Sequence, residues 1–117
     1  MKTSELIRLA LDWAVNQADE DADEVGIIDG VLVIYRADSD GGNIVYSPST
    51  KWEQGGPIIE RERITCFAVG YMHEARPWES TIDGEYPTKG NTPLIAAMRC
   101  YVASKLGDEV EIPEELL

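Results

Sequence analysis

A single histidine and two cysteines are the residues of this chain best suited to nucleophilic or metal chemistry. His73 precedes Glu74, while Cys66 and Cys100 lie far apart and neither belongs to a C-x-x-C pair. A catalytic triad needs a nucleophile beside the histidine, and a zinc site needs a cluster of Cys and His ligands. The chain has neither a nucleophile-elbow motif nor an H-E-x-x-H motif. We therefore interpret His73 as a loop residue and both cysteines as buried thiols, and we predict no catalytic residue, metal site or cofactor.

The segment 46–63, which is rich in turn formers and is predicted to be a loop, holds the residues best suited to binding a small anionic ligand. Two consecutive glycines allow a backbone nest whose N–H groups could hold an anion, and a tryptophan offers a stacking surface for a ring. Two arginines follow closely in the sequence. The predicted ligand-binding residues are Trp52, Gly55, Gly56, Arg61 and Arg63. The alternative is a tight turn, with Trp52 packed over the edge of the domain and residues 60–63 paired across a sheet surface.

Three aspartates in the N-terminal part of the chain have the spacing of calcium ligands. Asp19, Asp21 and Asp23 fall at positions 1, 3 and 5 of an EF-hand loop. Position 6 should be glycine and position 12 glutamate, but the chain has Glu24 and Gly30 there. The pattern fails at both diagnostic positions, and we expect no EF-hand.

The charge of the chain is strongly negative and lies mainly at its two ends. Lys and Arg number 10 against 22 Asp and Glu, which gives a net charge of −12. Residues 1–24 and residues 108–117 each carry −5, so the long middle is nearly balanced. Such a charge argues against binding to nucleic-acid backbones or anionic membranes, which attract positive surfaces. The acidic ends predict either an interaction surface that imitates the charge of a nucleic acid, or a solvated linker at about 19–24 and a solvated tail at about 108–117.

Helical spacing of apolar residues predicts a first helix over residues 4–18. Thr3 or Ser4 is the expected N-cap, and the acidic cluster that follows, together with Gly26, is expected to stop the helix. The side opposite the apolar stripe is polar and carries Arg8, Asp12 and Asn16.

Short β-branched runs bounded by turn formers predict strands in the middle of the chain. Residues 31–35 and 43–46 are expected to pair antiparallel across a flexible turn rich in Asp and Gly. Residues 58–59 begin a further strand, and residues 64–69 form another that could extend to Tyr71. Residues 73–92 are interrupted by Pro and Gly and are predicted to be irregular.

The clearest element is a final helix between Thr92 and Gly107. Thr92 suits the N-cap, Pro93 the first helical position and Gly107 the position after the last turn. Residues 89–92 are also a second anion-binding candidate, with simple capping of this helix as the alternative. Together the elements predict one small α+β domain over residues 1–117, with N-terminal and C-terminal helices packed on a mostly antiparallel sheet of three or four strands.

Several stretches of the sequence resemble the NinX-type family of small tailed-phage proteins. The central one, with the pattern Y-S-P-S-T-x-W-x-x-G-G-P-I-I-E, covers residues 46–60. Segments 92–99 and 107–110 resemble the closing helix and acidic tail of that family, and segments 2–6 and 10–14 resemble its opening. The likeness covers about half of the chain and spans nearly its full length.

The resemblance implies a protein of tailed phages and prophages of enteric bacteria that acts in the cytoplasm of the bacterial host. The family is a domain of unknown function, so the resemblance transfers no catalytic residue to this chain. The composition is in keeping with that location. The sequence has no stretch of the roughly 20 apolar residues that a membrane helix needs, and its start lacks the layout of a secretory signal.

The sequence leaves two main classes of function open. The first is a non-enzymatic accessory factor that binds a host or phage protein, for example to block a defence system. The second is a binder of a small nucleotide-like molecule, for example one that sequesters a signal of host immunity at Trp52. An enzyme acting on nucleotides or proteins is a third alternative, since carboxylates are plentiful. A homodimer is compatible with each, because interface and core residues look alike in a sequence.

Overall fold

Three α-helices and two antiparallel sheets form the protein over residues 1–35, 42–69 and 77–117, which are the residues that the structure, a computed structural model, describes. The helices are α1 (Arg8–Ala18), α2 (Trp52–Glu62) and α3 (Pro93–Leu106). The hairpin sheet contains β1 (Val25–Ile28), β2 (Val31–Ile34) and β3 (Ile44–Val45). The second sheet contains β4 (Ile64–Ala68), β5 (Trp78–Ile82) and β6 (Glu85–Gly90). The predicted α+β class is confirmed, but the described residues form two sheets of three strands rather than one sheet.

Helix α3 is the centre of the fold, and it begins and ends where its local sequence predicts. The Thr92 hydroxyl accepts a hydrogen bond from the backbone N–H of Ile95 (3.1 Å), and Gly107 has a φ of 90° just after the last turn. The helix contacts α1 as well as the second sheet, so it is apolar on nearly all sides, as expected of a buried helix. Its buried residues include Leu94, Ala97, Met98, Cys100, Tyr101 and Val102.

Helix α1 starts one turn later than predicted, at Arg8, and the predicted N-cap is wrong. Residues Thr3–Glu5 form a short 3-10 turn, and the Thr3 hydroxyl donates to the carbonyl oxygen of Gly107 (2.6 Å) instead of capping α1. The predicted polar side of α1 is also wrong in part, because Asp12 and Asn16 are buried. Distant parts of the chain cover this side, and the local spacing of polar residues does not reveal them.

The hairpin sheet confirms the predicted pairing of residues 31–35 with residues 43–46 and adds a strand that the sequence did not predict. The sequence predicts that Gly26 helps to stop the first helix. In the structure Gly26 lies inside β1, and β1 pairs antiparallel with β2 along its whole length. The connecting residues Asp29 and Gly30 have φ values of 52° and 76°. Positive φ at both central residues is typical of the type I′ turn that Asp-Gly favours, so the turn sets the register of the hairpin.

The prediction that residues 73–92 are irregular is wrong where the structure describes them. Residues 78–90 form the β5–β6 hairpin, and β5 pairs with β4 from Ile64↔Ile82 to Ala68↔Trp78. Pro87 is compatible with a strand because β6 lies at the edge of its sheet. The predicted strand 64–69 is confirmed as β4, whereas its extension to Tyr71 lies outside the described residues.

The loop predicted for residues 46–63, with a strand beginning at Ile58, is wrong over most of its length, because residues 52–62 form α2. Pro57 lies inside this helix, where proline typically costs about 3 kcal/mol. Packing opposes that cost, since Ile58 is buried in the core and Gly55 lies directly against the Pro48 carbonyl and the Leu94 side chain. Tertiary contacts therefore override the local tendency of Gly-Gly-Pro to break a helix.

The C-terminal segment 108–117 folds back against the N-terminus. Met1 and Val110 exchange two hydrogen bonds of 2.9 Å, and the Thr3 N–H donates to the carbonyl of Asp108 (2.8 Å). Leu116, in a short 3-10 turn, is 7% exposed, while the acidic side chains of the segment stay at the surface. Within the described residues, no helix is both long and apolar enough to cross a membrane.

Candidate functional site

The five predicted ligand-binding residues all lie on or just after α2. Trp52 stands in the first turn and is 57% exposed, whereas Arg61 and Arg63 lie at the other end. With a rise of 1.5 Å per residue, Trp52 and Arg61 are separated by roughly 14 Å along the helix axis. Gly55 and Gly56 lie between them, and the Gly55 N–H is used within the helix, donating to the carbonyl of the N-cap residue (2.9 Å). The structure thus separates the tryptophan from the arginines, and a ligand role for these residues stays a prediction.

Trp52 forms one wall of a small cavity of about 220 Å³ between the starts of α2 and α3. The residues that line this Trp52 cavity are Ser49, Thr50, Trp52, Thr92, Pro93, Leu94 and Ile95. Two segments that were separately predicted to bind an anion, 46–63 and 89–92, therefore meet here. Pockets for drug-sized ligands typically measure about 300–1,000 Å³, so the Trp52 cavity has room for a single ring rather than a whole nucleotide.

Arg61 is held in a polar cleft at the C-terminal end of α2. Its guanidinium forms ion pairs with Asp19 (3.7 Å) and Glu62 (3.0 Å), and it donates to the hydroxyl of Tyr101 (3.2 Å). Lys105 places a second cation on Glu62 (3.3 Å). Burial alone would raise the pKa of Glu62, but the hydrogen bonds from Arg61 and Lys105 outweigh burial and lower that pKa. Two carboxylates already neutralise Arg61, which leaves little of its charge for an anionic ligand.

Asp12 on α1 is a buried carboxylate that the sequence patterns placed on the polar side of the helix, opposite its apolar stripe. It is 3% exposed and accepts hydrogen bonds from the backbone N–H of Ser49 (2.9 Å) and the hydroxyl of Ser47 (3.3 Å). Burial raises the pKa of Asp12, and the hydrogen bonds from the two serines oppose that rise. A raised carboxyl pKa is one mark of an acid–base catalyst. Here, however, the partners belong to a turn, so the bonds fix the turn before α2 onto α1.

The turn that Asp12 holds also positions the start of α2. The Ser47 N–H donates to the side-chain carbonyl of Gln54, whose amide group donates to the carbonyl of Val45 (2.7 Å). Residues of the segments 10–14 and 46–60, which carry the family resemblance, therefore touch each other. Where Asp12 contacts Ser47 and Ser49, the family pattern therefore serves to hold the turn before α2 against α1. No local signal marks Asp12 in the sequence, because buried partners far along the chain define its role.

The two cysteines are free thiols, and they differ in burial. Cys100 is fully buried on α3, whereas Cys66 is half-buried and accepts a hydrogen bond from the Ser80 hydroxyl (3.4 Å). Burial raises the pKa of Cys100 to about 11, so this group is a neutral thiol at physiological pH and a poor nucleophile. His73 lies outside the described residues. In the ranges that the structure describes, no three Asp, Glu, Cys or His side chains come together to hold a metal ion.

The hairpin sheet exposes an apolar face. Side chains alternate along a strand and cross-strand partners share a side, so the register assigns each residue to one side of this sheet. The side that includes Leu32 packs on the core through Leu32, Val25 and Ile34, while Ile27 and Ile44 on the same side stay 39% and 38% exposed. The opposite side, here called the outer face, carries four large apolar side chains that are each 38% to 48% exposed, beside Val33, which is only 7% exposed. These residues are Ile28, Val31, Tyr35 and Val45. The sequence predicted strands here but not which of their apolar residues stay at the surface.

Negative charge adjoins the outer face. Four exposed carboxylates directly precede β1, and Asp29 is exposed in the turn that follows it. The four are Glu20, Asp21, Asp23 and Glu24. The sequence between residues 19 and 35 contains no lysine or arginine. Along the chain, the outer face is therefore preceded by acidic residues, while Arg36 directly follows Tyr35 at its other end.

These features define a class of protein: a small acidic α+β protein in which a hydrogen-bonded turn joins two helices and one sheet exposes an apolar face. A family model described as bacteriophage P22 NinX matches residues 2–105 of the chain. The chain therefore belongs to the NinX family of bacteriophage P22, which confirms the resemblance seen in the sequence. A search of curated proteins finds no match.

Proposed function

We propose that this phage protein is a non-enzymatic accessory factor that binds a host or phage protein in the cytoplasm of the infected bacterium. The observation that carries the proposal is the outer face, where four apolar side chains are exposed on one side of a sheet. Contiguous apolar patches on monomeric proteins are commonly interaction sites. A host defence protein that is blocked by this binding is one such partner.

The size of the outer face limits the affinity that it supports. Fully burying a Val or Ile side chain contributes about 1.5–3 kcal/mol, and the residues of the outer face are already more than half buried. Completing their burial contributes roughly 1 kcal/mol each, or about 4 kcal/mol together. A net binding free energy of that size would correspond to a dissociation constant of about 1 mM, and the cost of association makes the contact of the outer face alone weaker than that. A lower dissociation constant needs a second favourable contribution to binding. Electrostatic attraction between the carboxylates before β1 and a basic partner supplies it.

The test is affinity capture of the tagged protein from its bacterial host, followed by reconstitution with the purified partner. The double variant Val31→Ser, Val45→Ser removes apolar contact without adding charge, and we expect it to weaken binding by about tenfold or more. Ile7→Ser is the matched control, because Ile7 is also exposed but lies outside the outer face. Unchanged affinity in the double variant would contradict the proposal.

A second candidate function is the binding of a small nucleotide-like ligand, with its base in the Trp52 cavity. The observation that favours it is the meeting of Trp52 with residues 92–95 around one cavity. A single base fits a cavity of that size, with the phosphates in solvent. We expect a rise in Tm with a member of a nucleotide panel and its loss in Trp52→Ala. A response that persists in Trp52→Ala would contradict this site.

A further inference from the structure

Strand β1 forms an open edge of the hairpin sheet. It pairs with β2 on one side, and in the described part of the chain no strand pairs with its other side. In an antiparallel pair, every second residue bonds to the partner strand, and the residues between them direct their N–H and C=O groups away from it. The Tyr35 N–H donates to the Glu24 carbonyl (3.4 Å), which marks Glu24 as a residue bonded to the β2 side. The main-chain groups of Val25 and Ile27 therefore point to the open edge.

Strand β1 is short, at four residues, but it lacks the residue types that usually prevent pairing with other chains. Proteins commonly protect exposed edges with proline, with lysine or with inward-pointing charges. The sequence of β1 is V-G-I-I, which contains none of these. Ile27 and Ile28 lie on opposite sides of the strand and are 39% and 40% exposed. The outward main-chain groups of β1 and the side chains of Ile27 and Ile28 are thus available to a further extended strand.

Charge at both ends of β1 determines which strand fits. The four carboxylates at 20–24 lie before it, and Asp29 lies after it. A second copy of this chain is a poor occupant. Antiparallel pairing of β1 with itself places residues 20–24 of one copy near Asp29 of the other, and parallel pairing places the two acidic segments together. Both arrangements oppose like charges, whereas a strand with cations at its ends is complementary.

We infer that β1 accepts an extended segment of a partner protein as a fourth strand of the hairpin sheet, and that this segment carries apolar side chains flanked by lysine or arginine. The inference rests on the proposed function and names the chemistry of the partner. Main-chain hydrogen bonds to Val25 and Ile27 provide the pairing. Apolar side chains lie beside Ile27 and Ile28, and the flanking cations meet the carboxylates at both ends of the strand.

The first experiment uses a synthetic peptide of alternating Val and Thr between two pairs of lysines. Titration of the full chain, followed by NMR, should shift the backbone amides of residues 24–28, with the largest shifts at Val25 and Ile27. A peptide with glutamates in place of the lysines is the charge control. We expect it to bind at least about tenfold more weakly at low salt, where charges are least screened. Equal binding of both peptides, or shifts confined to another surface, would overturn the inference.

Variants of Ile27 separate strand pairing from side-chain packing. Ile27→Pro removes the outward N–H, whereas Ile27→Ala keeps this N–H and shortens the side chain. We expect the proline variant to lose peptide binding and the alanine variant to retain it with a smaller loss. Because proline can also disturb the hairpin, a peptide N-methylated at its central amides repeats the test on the wild-type chain and should not bind. Binding of the methylated peptide at the affinity of the unmodified one refutes strand pairing.

The inference and the proposed function fail in different ways. A captured partner that binds Ile27→Pro as tightly as the wild type overturns edge pairing and leaves partner binding in place. Peptide binding at β1 without any captured host or phage protein supports the edge and removes the proposed function. Sedimentation of the protein alone tests whether a second copy of the chain pairs with β1. A dimer that Ile27→Pro abolishes would overturn the inference that the partner is a basic segment.

Discussion

The side chain of Asp12 joins helix α1 to the turn that precedes α2. It belongs to α1, its oxygens hold Ser47 and Ser49, and those residues form the turn that precedes α2. The carboxylate is buried, and without it the Ser49 N–H would have no acceptor in a site closed to water. A buried polar group without a partner typically costs about 1–3 kcal/mol. The role of Asp12 is therefore structural in this arrangement, and its removal should be felt throughout the domain.

We expect Asp12→Ala to lower the free energy of unfolding by about 2–3 kcal/mol, because it leaves a buried donor unpaired and a small void. Urea denaturation measures the change. Glu5→Ala is the control, since Glu5 is exposed in the 3-10 turn before α1. Surface changes of that kind usually stay within about 0.5 kcal/mol. A loss that small in Asp12→Ala would contradict the structural role.

The contribution of Asp12 to stability should also depend on pH with a definite sign. Burial raises the pKa of Asp12 above its ordinary value of 3.8, against the hydrogen bonds from Ser49 and Ser47. The folded state then holds the proton more tightly than the unfolded state. The contribution is fully present below pH 3.8 and is lost as the pH rises through the folded pKa. The gap in unfolding free energy between wild type and Asp12→Ala should therefore shrink from acid to neutral pH, and a gap that widens would contradict the raised pKa.

The two thiols should differ in reactivity because they differ in burial. Cys100 is enclosed and its pKa is raised to about 11, whereas Cys66 is partly exposed. We expect iodoacetamide to label Cys66 in the native protein and Cys100 only after unfolding, since the thiolate is the reactive form. Mass spectrometry with and without denaturant gives the two rates. Native labelling of Cys100 at the rate of Cys66 would show that α3 opens readily.

At the scale of elements, α2 depends on close packing at one glycine. A Cβ atom on Gly55 would overlap the Pro48 carbonyl oxygen and lie 2.6 Å from Leu94 Cδ2. A Cβ atom on Gly56 would meet nothing within 4 Å. The neighbouring glycines thus form a matched pair, one in a tight contact and one in open space. Their comparison separates packing from helix propensity.

We expect Gly55→Ala to lower the free energy of unfolding by about 1–3 kcal/mol, because overpacking outweighs the gain in helix propensity. Gly56→Ala should raise it by about 0.5–1 kcal/mol, since alanine favours a helix over glycine and nothing obstructs it. Urea denaturation of both variants gives the comparison. A stabilising Gly55→Ala would mean that α2 does not pack against the turn and α3 as described.

At the scale of the whole molecule, the two chain ends close the fold together. The segment 108–117 forms hydrogen bonds with Met1 and Thr3, and its Leu116 side chain is buried. Five carboxylates of this segment stay exposed, so one short stretch both packs and carries charge. The segment lies beyond residues 2–105, which the family model matches. Its contribution to stability can be measured at two adjacent leucines.

We expect Leu116→Ala to lower the free energy of unfolding by about 2 kcal/mol, at the lower end of the range for buried leucines because the site lies near the surface. Leu117→Ala is the matched control, since Leu117 is 70% exposed and should change stability by less than about 0.5 kcal/mol. Thermal unfolding of both variants measures the difference. Equal effects would show that segment 108–117 is not docked in solution.

The sequence by itself determined the elements whose signals are local, and it identified the family. Thr92, Pro93 and Gly107 define α3 because an N-cap, a first-turn proline and a terminal glycine act within one or two turns of the helix. The β-branched run at 31–35 likewise predicts β2, and the turn-forming residue types in the sequence that follows predict its pairing with 43–46. These features need no knowledge of distant contacts.

The tertiary structure alone decided α2, the burial of Asp12 and the exposure of the outer face. Gly-Gly-Pro reads locally as a turn, but contacts of Gly55 and Ile58 with distant residues favour a helix. The predicted ligand-binding residues were chosen for a loop, and the helix separates Trp52 from Arg61. The physical reason is common to all three cases. Propensity and capping depend on residues a few positions away, whereas burial depends on partners that only the folded chain brings together.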